Sequence, residues 1–313
     1  MRFSIYQFSC LALMVILGNV QVSAQEINQE QQSQNIVLTV SDERELTAIA
    51  TCEAIGNKLG SVSIKECLDM EMQGSHLLTP NQNAILSKEY LPVEGKPPRS
   101  KVLLIGGIHG DEFSSVSVTF KWMGILNKHH SGLFHWIIAP AVNPDGLLSR
   151  PGQRQNSLGV DLNRNFPTPE WDEVALKYWV EKKSRNPRRY PGPAAGSEME
   201  TQWIVDLIDQ FDPDVIIAVH APYSLVDYDG GLTAPKKIGK LHLRRLGVYP
   251  GSMGNYGGVF LNKQVITLEL PAAGSMPTGW EIRTMWTDLV RWLVKNAARK
   301  KAADAKALES TAF

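Results

Sequence analysis

Four short apolar runs constrain the fold of this chain more than any other feature. Each run is rich in Val, Ile or Leu and too short for a helix, and the runs lie at residues 102–105, 136–139, 215–219 and 265–268. Such runs are typical of strands that are covered on both faces. Because helical periodicity separates them, the sequence predicts an α/β domain with a mixed, largely parallel central sheet flanked by helices.

Two stretches between and after the runs carry clear helical signals. Ser197 and Glu200 form an S-x-x-E pattern, which predicts a capped helix start and a helix that continues to about residue 211. Apolar residues that share one face predict a second helix over residues 278–299. The Ala- and Lys-rich residues 299–313 are predicted to form a flexible tail.

The N-terminus has the composition of an export signal. Arg2 precedes an apolar run over residues 8–20, and small residues at Val22-Ser23-Ala24 follow. This pattern predicts a cleaved signal peptide over residues 1–24, and therefore a periplasmic or secreted protein without stable membrane insertion after cleavage. The alternative is an uncleaved membrane anchor, although the run is shorter than the roughly 20 residues that a bilayer core requires.

A main domain over residues 76–298 is predicted to follow a partly disordered N-terminal extension over residues 25–75. That extension contains Cys52 and Cys67, which are either disulfide-bonded or two free buried thiols; an oxidising compartment favours the disulfide. The chain has 32 Lys plus Arg and 32 Asp plus Glu, so no surplus of positive charge indicates a nucleic-acid partner.

Three of the four apolar runs lead to a polar residue of catalytic type. The first run leads through Gly106-Gly107-Ile108 to His109, the third is followed at once by His220, and the fourth by Glu269. In open α/β sheets, sites gather just beyond the carboxyl ends of the strands. The sequence therefore predicts that these side chains share one site.

The same residues suit a metal centre. Catalytic zinc sites commonly use two His and one carboxylate, so His109, Glu112 and His220 predict one bound Zn²⁺ per chain. Zinc makes its water more acidic, and Glu269 is the predicted proton acceptor. Each signal is weak alone, because H-x-x-E occurs by chance on helices and a single His is more often a core residue.

A polar loop in the middle of the chain suits a carboxylate. Arg154 and Arg164 can grip a carboxylate through paired hydrogen bonds, and Asn163 and Asn165 add amide donors. A solvated basic loop is the alternative interpretation.

In five blocks the sequence resembles the zinc metallocarboxypeptidases, and among them it is most similar to the bacterial murein peptide amidases. The blocks are G-I-H-G-D-E at 107–112, N-P-D-G at 143–146, G-V-D-L-N-R-N-F-P at 159–167, the strand-end His220, and T-L-E-L-P at 267–271. The resemblance covers roughly residues 76–298. It implies a hydrolase that cuts the γ-D-glutamyl–meso-diaminopimelate bond of cell-wall peptides.

The resemblance also implies a role for each matched residue. His109, Glu112 and His220 would bind zinc, and Glu269 would activate water and then protonate the leaving amine. Arg154 would polarise the scissile carbonyl. Asn163 and Arg164 would hold the terminal carboxylate of the leaving residue.

Substrate choice is less constrained by the sequence. Asp227, with Asp229 nearby, is predicted to meet the second ammonium of diaminopimelate, or else both are turn residues. Tyr249 and Tyr256 lie near the position of a substrate-capping tyrosine in digestive relatives, but neither falls in a matching motif. Three other functions stay open: a general carboxypeptidase, an N-acyl amino acid deacylase, and an inactive cell-wall-binding module.

Overall fold

The computed structural model describes residues 43–311, with side chains described as far as Asn296. The predicted signal peptide and the first part of the extension lie outside these residues. All strands below, and all helices except the first residues of α1, belong to the compact unit Thr47–Phe313. Within the described part of the chain, no helix has the length and apolar character needed to cross a membrane.

Nine strands form one sheet within the described residues. In chain order they are β1 (Gln73–Leu78), β2 (Ala84–Tyr90), β3 (Lys101–Gly106), β4 (His135–Ala139), β5 (Val215–His220), β6 (Leu225–Asp229), β7 (Lys237–Ile238), β8 (Leu241–Leu243) and β9 (Gln264–Glu269). Their order across the sheet is β1-β2-β4-β3-β5-β9-β6-β8-β7.

The four apolar runs form the centre of this sheet. Strands β4, β3, β5 and β9 are neighbours and all run parallel. Antiparallel pairing appears on both sides, where β2 joins β4 and β6 joins β9. The predicted α/β class with a mixed, largely parallel sheet is therefore confirmed.

The helices lie before, between and after the strands. They are α1 (residues 43–58), α2 (Ile64–Leu68), α3 (Phe113–His129), α4 (Pro144–Leu148), α5 (Trp171–Lys183), α6 (Met199–Phe211) and α7 (Gly279–Thr311), with 3₁₀ turns at Leu162–Arg164 and Pro187–Arg189 and a π-helix at Gly254–Phe260. Helix α7 continues beyond residue 299, where the sequence predicted a flexible tail.

Alternating residues of the central strands fill two hydrophobic clusters, one on each face of the sheet. In β3, Val102 and Leu104 pack into one cluster, whereas Leu103 and Ile105 pack into the other. Helices α3 and α7 cover the first face, and α6 covers the second. Coverage on both faces explains why these strands carry apolar residues at successive positions.

The predicted helix at residues 199–211 is present as α6, but the predicted capping box is wrong. Glu198, not Ser197, is the N-cap residue, and no side chain caps the helix. The Ser197 hydroxyl donates to Glu198 at 2.7 Å, and Glu200 is buried against Asn156 instead of reaching back to the cap. Tertiary contacts therefore take both side chains of the motif.

The cysteine segment packs with the main domain. A disulfide joins Cys52 in α1 to Cys67 just before the end of α2. Both cysteines are buried in the same hydrophobic cluster as Val116 and Phe120 of α3. The sequence-based boundary at residue 76 is thus not a break in the core.

Candidate active site

The two imidazoles and the carboxylate predicted to bind metal converge at one point. One ligand atom from each of His109, Glu112 and His220 lies within 4.8 Å of the other two, and all three residues are buried. His109 Nδ1 lies 2.8 Å from Glu112 Oε1 and 3.2 Å from His220 Nδ1. Two imidazoles and one carboxylate are the donor set of many catalytic zinc sites.

Local backbone geometry brings His109 and Glu112 to this point. The chain turns sharply after β3 at Gly107, whose φ of +65° is a conformation that favours glycine. At Gly110 a Cβ atom would collide with the backbone of Gly146. Glu112 is the N-cap of α3 yet makes no side-chain capping bond, so its carboxylate is available to the site.

Sheet register brings the other two residues together. His220 ends β5 and Glu269 ends β9, and the two are direct partners in the parallel pairing of these strands. Glu269 Oε2 accepts a weak hydrogen bond from Tyr223 N at 3.5 Å. Burial raises the pKa of the Glu269 carboxyl above its ordinary value, although nearby His220 opposes the shift. A carboxyl with a raised pKa beside His109, Glu112 and His220, which together are called the metal group below, is suited to proton transfer.

Asp161 supports the metal group, a role that the sequence analysis missed. Its Oδ1 lies 3.1 Å from His109 Nε2, and its Oδ2 accepts from Arg154 Nε at 3.0 Å. Burial alone would raise the pKa of Asp161, but Arg154 and His109 hold that pKa well below its ordinary range. The carboxylate stabilises a proton on Nε2, which leaves Nδ1 free to bind a cation.

Asp161 is the first residue of the motif D-L-N-R-N, but nothing in the motif indicates that it contacts His109. Only the orientation of the His109 ring in the fold shows that Asp161 contacts Nε2. The same contact supports the metal interpretation, because histidines that bind metal usually donate their other ring N–H to a carboxylate or carbonyl.

Arg154 lies beside the metal group, as predicted. Its NH1 atom is 3.5 Å from Glu112 Oε1, and its side chain is buried. Asn143 fixes the surrounding backbone, since its amide donates to the carbonyl oxygens of Ile108 and Arg154. The guanidinium is therefore held where it can stabilise negative charge on a substrate oxygen.

A cavity of about 390 Å³ opens from the metal group and is lined by every residue predicted for the site except Asn165, whose buried amide donates to Pro191 O at 2.8 Å. Asn163 and Arg164 belong to the 3₁₀ turn at Leu162–Arg164, and both line the cavity. Asn163 Oδ1 accepts from Met253 N at 2.8 Å, so its amide group is oriented by the backbone. The structure thus brings together the predicted metal, proton-transfer and carboxylate-binding residues.

Tyr249 lines the cavity, whereas Tyr256 is not among its lining residues. The Tyr249 ring packs against the Arg164 guanidinium, with 4.6 Å from Arg164 Cζ to the ring centroid. Tyr256 lies in the π-helix and stacks on Phe166 in the core. Of the two tyrosines noted in the sequence, Tyr249 is the one placed to contact a bound molecule.

Asp227 and Asp229 also line the cavity. Both belong to β6, and Arg245 is the nearby cation that affects both carboxyls. Burial and the neighbouring Asp227 raise the pKa of Asp229 to about 6. Asp227 is therefore placed within reach of a molecule in the cavity, and the turn interpretation is wrong because both residues lie in a strand.

Comparison with known proteins agrees with this geometry. The sequence pattern of the zinc carboxypeptidase family matches residues 71–243. Over 212 residues the chain is 31% identical to murein peptide amidase A from Escherichia coli (strain K12), a match that covers 64% of this chain and 84% of the relative. The chain belongs to the zinc carboxypeptidase family. It is a hydrolase of the metallopeptidase type.

Two solved structures share the fold. Bovine thrombin-activatable fibrinolysis inhibitor, solved with a tick carboxypeptidase inhibitor, aligns with a TM-score of 0.53 at 18% identity, over 72% of this chain and 88% of that one. Carboxypeptidase A from Helicoverpa armigera aligns with a TM-score of 0.53 at 18% identity, over 73% and 68% of the two chains.

Proposed function

We propose that this zinc carboxypeptidase hydrolyses an amide bond next to a free carboxylate, and that its substrate is the γ-D-Glu–meso-diaminopimelate bond of cell-wall peptides. The observation that carries the proposal is one cavity that contains a His-Glu-His metal group, Glu269 and a carboxylate-binding pair, Asn163 and Arg164. The identity with murein peptide amidase A supports the choice of substrate.

His109, Glu112 and His220 would hold the zinc ion. Zinc in this position supplies Lewis acidity, which polarises a carbonyl and makes water a better nucleophile at neutral pH. Glu269 accepts a proton from the attacking water at a carboxylate oxygen and later donates it to the leaving nitrogen. Arg154 donates hydrogen bonds to the oxygen that becomes negative in the transition state.

The remaining cavity residues orient the substrate. Asn163 and Arg164 bind the free carboxylate of the leaving residue, so the scissile bond lies next to the metal group. Tyr249 covers Arg164 and narrows this part of the cavity. Asp227, with Asp229 beside it, faces the side-chain ammonium of diaminopimelate.

Export of the protein from the cytoplasm would agree with a cell-wall peptide as its substrate. The signal peptide proposed for residues 1–24 would bring the protein to the periplasm or the medium, where cell-wall peptides occur. The Cys52–Cys67 disulfide supports this location, because disulfides persist in oxidising compartments and are rare in the cytosol.

The test of the proposed bond is a set of defined peptides. Purified protein is incubated with L-Ala-γ-D-Glu-meso-diaminopimelate, with an α-linked peptide in free and C-terminally amidated forms, and with an N-acyl amino acid, and products are identified by mass spectrometry. The proposal predicts release of diaminopimelate. Exclusive cleavage of the free α-linked peptide would instead identify a general carboxypeptidase, and exclusive cleavage of the N-acyl amino acid a deacylase.

The same assay tests Asp227. Asp227→Ala should raise KM for the diaminopimelate tripeptide by roughly tenfold, since a charge-assisted hydrogen bond is lost, and should leave zinc content unchanged. The matched substrate is a tripeptide that ends in norleucine, for which KM should not change. Unchanged kinetics on the diaminopimelate tripeptide would remove Asp227 from the ammonium site.

A further inference from the structure

Arg189 is a cation of the cavity that none of the roles above uses. It ends the 3₁₀ turn at Pro187–Arg189, and its guanidinium lines the cavity. Its NH1 atom lies 3.8 Å from Asp161 Oδ2, and 27% of its side chain is exposed. The same Asp161 oxygen already accepts from Arg154 Nε at the shorter distance of 3.0 Å. Because 3.8 Å is longer than a hydrogen bond, the contact with Asp161 leaves guanidinium donors of Arg189 available to a bound molecule.

The backbone around Arg189 is tied to the site on both sides. Asp161 N donates to Tyr190 O at 2.8 Å, and the Gln155 side chain donates to Pro187 O at 2.9 Å. These contacts position Arg189 before a substrate binds, which lowers the entropic cost of using it.

The charge of the cavity wall leaves a place for more than one substrate anion. Its lining residues include six Arg or Lys and four Asp or Glu, namely Arg154, Arg164, Lys183, Arg189, Arg244 and Arg245 against Glu112, Asp227, Asp229 and Glu269. Glu112 and Glu269 belong to the reaction centre. Burial lowers the pKa of Arg164, and the guanidiniums of Arg154 and Arg189 lower it further. Arg189 therefore lies close enough to Arg164 for both to interact with the same substrate.

An ordinary peptide C-terminus brings a single carboxylate, which Asn163 and Arg164 would bind. We propose that Arg189 binds a second carboxylate of the substrate and thereby selects peptides that carry two carboxylates near the scissile bond. This inference rests on the proposed function. A γ-linked glutamyl residue keeps its α-carboxylate free, and diaminopimelate carries a side-chain carboxylate, so the substrate offers two sources of the same group.

Three tripeptides distinguish the sources. They are L-Ala-γ-D-Glu-meso-diaminopimelate, the isoglutaminyl form in which the glutamyl α-carboxylate is amidated, and L-Ala-γ-D-Glu-L-Lys, which lacks the side-chain carboxylate. Arg189→Gln should lower kcat/KM on the first tripeptide by roughly tenfold to a hundredfold, the loss expected for a hydrogen-bonded charge pair. It should have little effect on whichever tripeptide lacks the partner carboxylate. Arg189→Lys should recover part of the activity.

The matched control is Arg188→Gln, which removes a guanidinium from the same turn but outside the cavity. Any change that Arg188→Gln causes in kcat/KM should be the same for all three tripeptides. An Arg189→Gln loss of the same size on all three tripeptides would show that Arg189 only supports Asp161. No loss on any of them would show that it binds nothing. Either result overturns the inference.

Binding separates a failure of this inference from a failure of the proposed bond. Affinities of the three tripeptides are measured by calorimetry on Glu269→Gln protein, with and without Arg189→Gln. If wild-type protein cuts none of them but binding still depends on Arg189 and on one carboxylate, the proposed bond is wrong and the Arg189 inference stands. If binding is absent or independent of Arg189, the inference is wrong.

Discussion

Asp161 uses its two oxygens for two different groups of the site. Oδ1 contacts the imidazole of His109 and Oδ2 binds the guanidinium of Arg154, so one buried carboxylate orients both a metal ligand and a residue that faces the substrate. Its own position is fixed, because Asp161 N donates to Tyr190 O and its side chain caps the turn at Asn163 N. Removing the negative charge of Asp161 should therefore lower both the affinity for zinc and the rate of turnover.

Asp161→Asn should weaken zinc binding by about tenfold to a hundredfold, the range found when a carboxylate behind a metal-bound histidine is removed. Competition with a fluorescent zinc chelator measures the affinity. Asp111→Asn is the matched control, since Asp111 pairs with Arg188 and contacts neither imidazole through any described bond. Equal zinc affinity in Asp161→Asn and wild type would contradict the assigned role.

Glu269→Gln should remove proton transfer and keep the shape of the site. The expected result is a fall in kcat of about a hundredfold to ten-thousandfold, the contribution typical of a general acid–base residue. Zinc content and tripeptide affinity should stay close to wild type, because Glu269 is not one of the three grouped metal ligands. A variant that keeps full turnover would show that another group moves the proton.

Helix α6 begins with two buried carboxyls that face the loop of Arg154. Asn156 Nδ2 donates to Glu198 at 2.7 Å and to Glu200 at 3.2 Å, and Asn156 Oδ1 accepts from Val160 N within the same loop. Glu200 Oε1 has no hydrogen-bond partner within the described part of the chain. The start of α6 is therefore linked to the loop between Arg154 and Asp161. Because the Glu200 carboxyl is buried at this junction, its protonation should affect the stability of the protein.

Burial raises the pKa of Glu200 from its usual value of 4.5 to about 7. A raised pKa in the folded state gives stability that is fully present below the unfolded pKa and is lost as the pH rises through the folded pKa. Glu200→Gln should therefore stabilise the protein above neutral pH by up to about 3 kcal/mol, and change stability little at about pH 4.

Chemical denaturation at the two pH values measures this difference as the free energy of unfolding. Glu173→Gln on α5 is the control, because that side chain is exposed and its replacement should change stability little at either pH. An equal effect of Glu200→Gln at both pH values would show that its carboxyl is not protonated on folding.

The centre of the molecule was predictable from sequence, and its edges were not. Continuous apolar runs identified the central strands, and the residues just after them identified the metal group and Glu269, because parallel strands end at the same side of the sheet. Strand β1 reads Q-G-S-H-L-L, which has neither alternation nor a continuous apolar run, so it gave no signal. Its pairing depends on β2 in the fold.

Contacts between distant loops were also beyond the sequence. Asp161 and Arg189 are 28 residues apart by their numbers, and no periodic pattern connects them. They meet because the turn at Pro187–Arg189 packs against the loop before Asn163. Charge and residue type indicated a carboxylate-binding loop, but the position of each guanidinium required the fold.

The proposed activity requires a divalent cation between His109, Glu112 and His220. The most direct measurement is the zinc content of purified protein by mass spectrometry, together with activity on the diaminopimelate tripeptide before and after treatment with a chelator. We expect about one zinc ion per chain, loss of activity on chelation, recovery when zinc is added back, and little zinc in His220→Ala. Metal-free wild-type protein whose activity is indifferent to chelators would contradict this requirement.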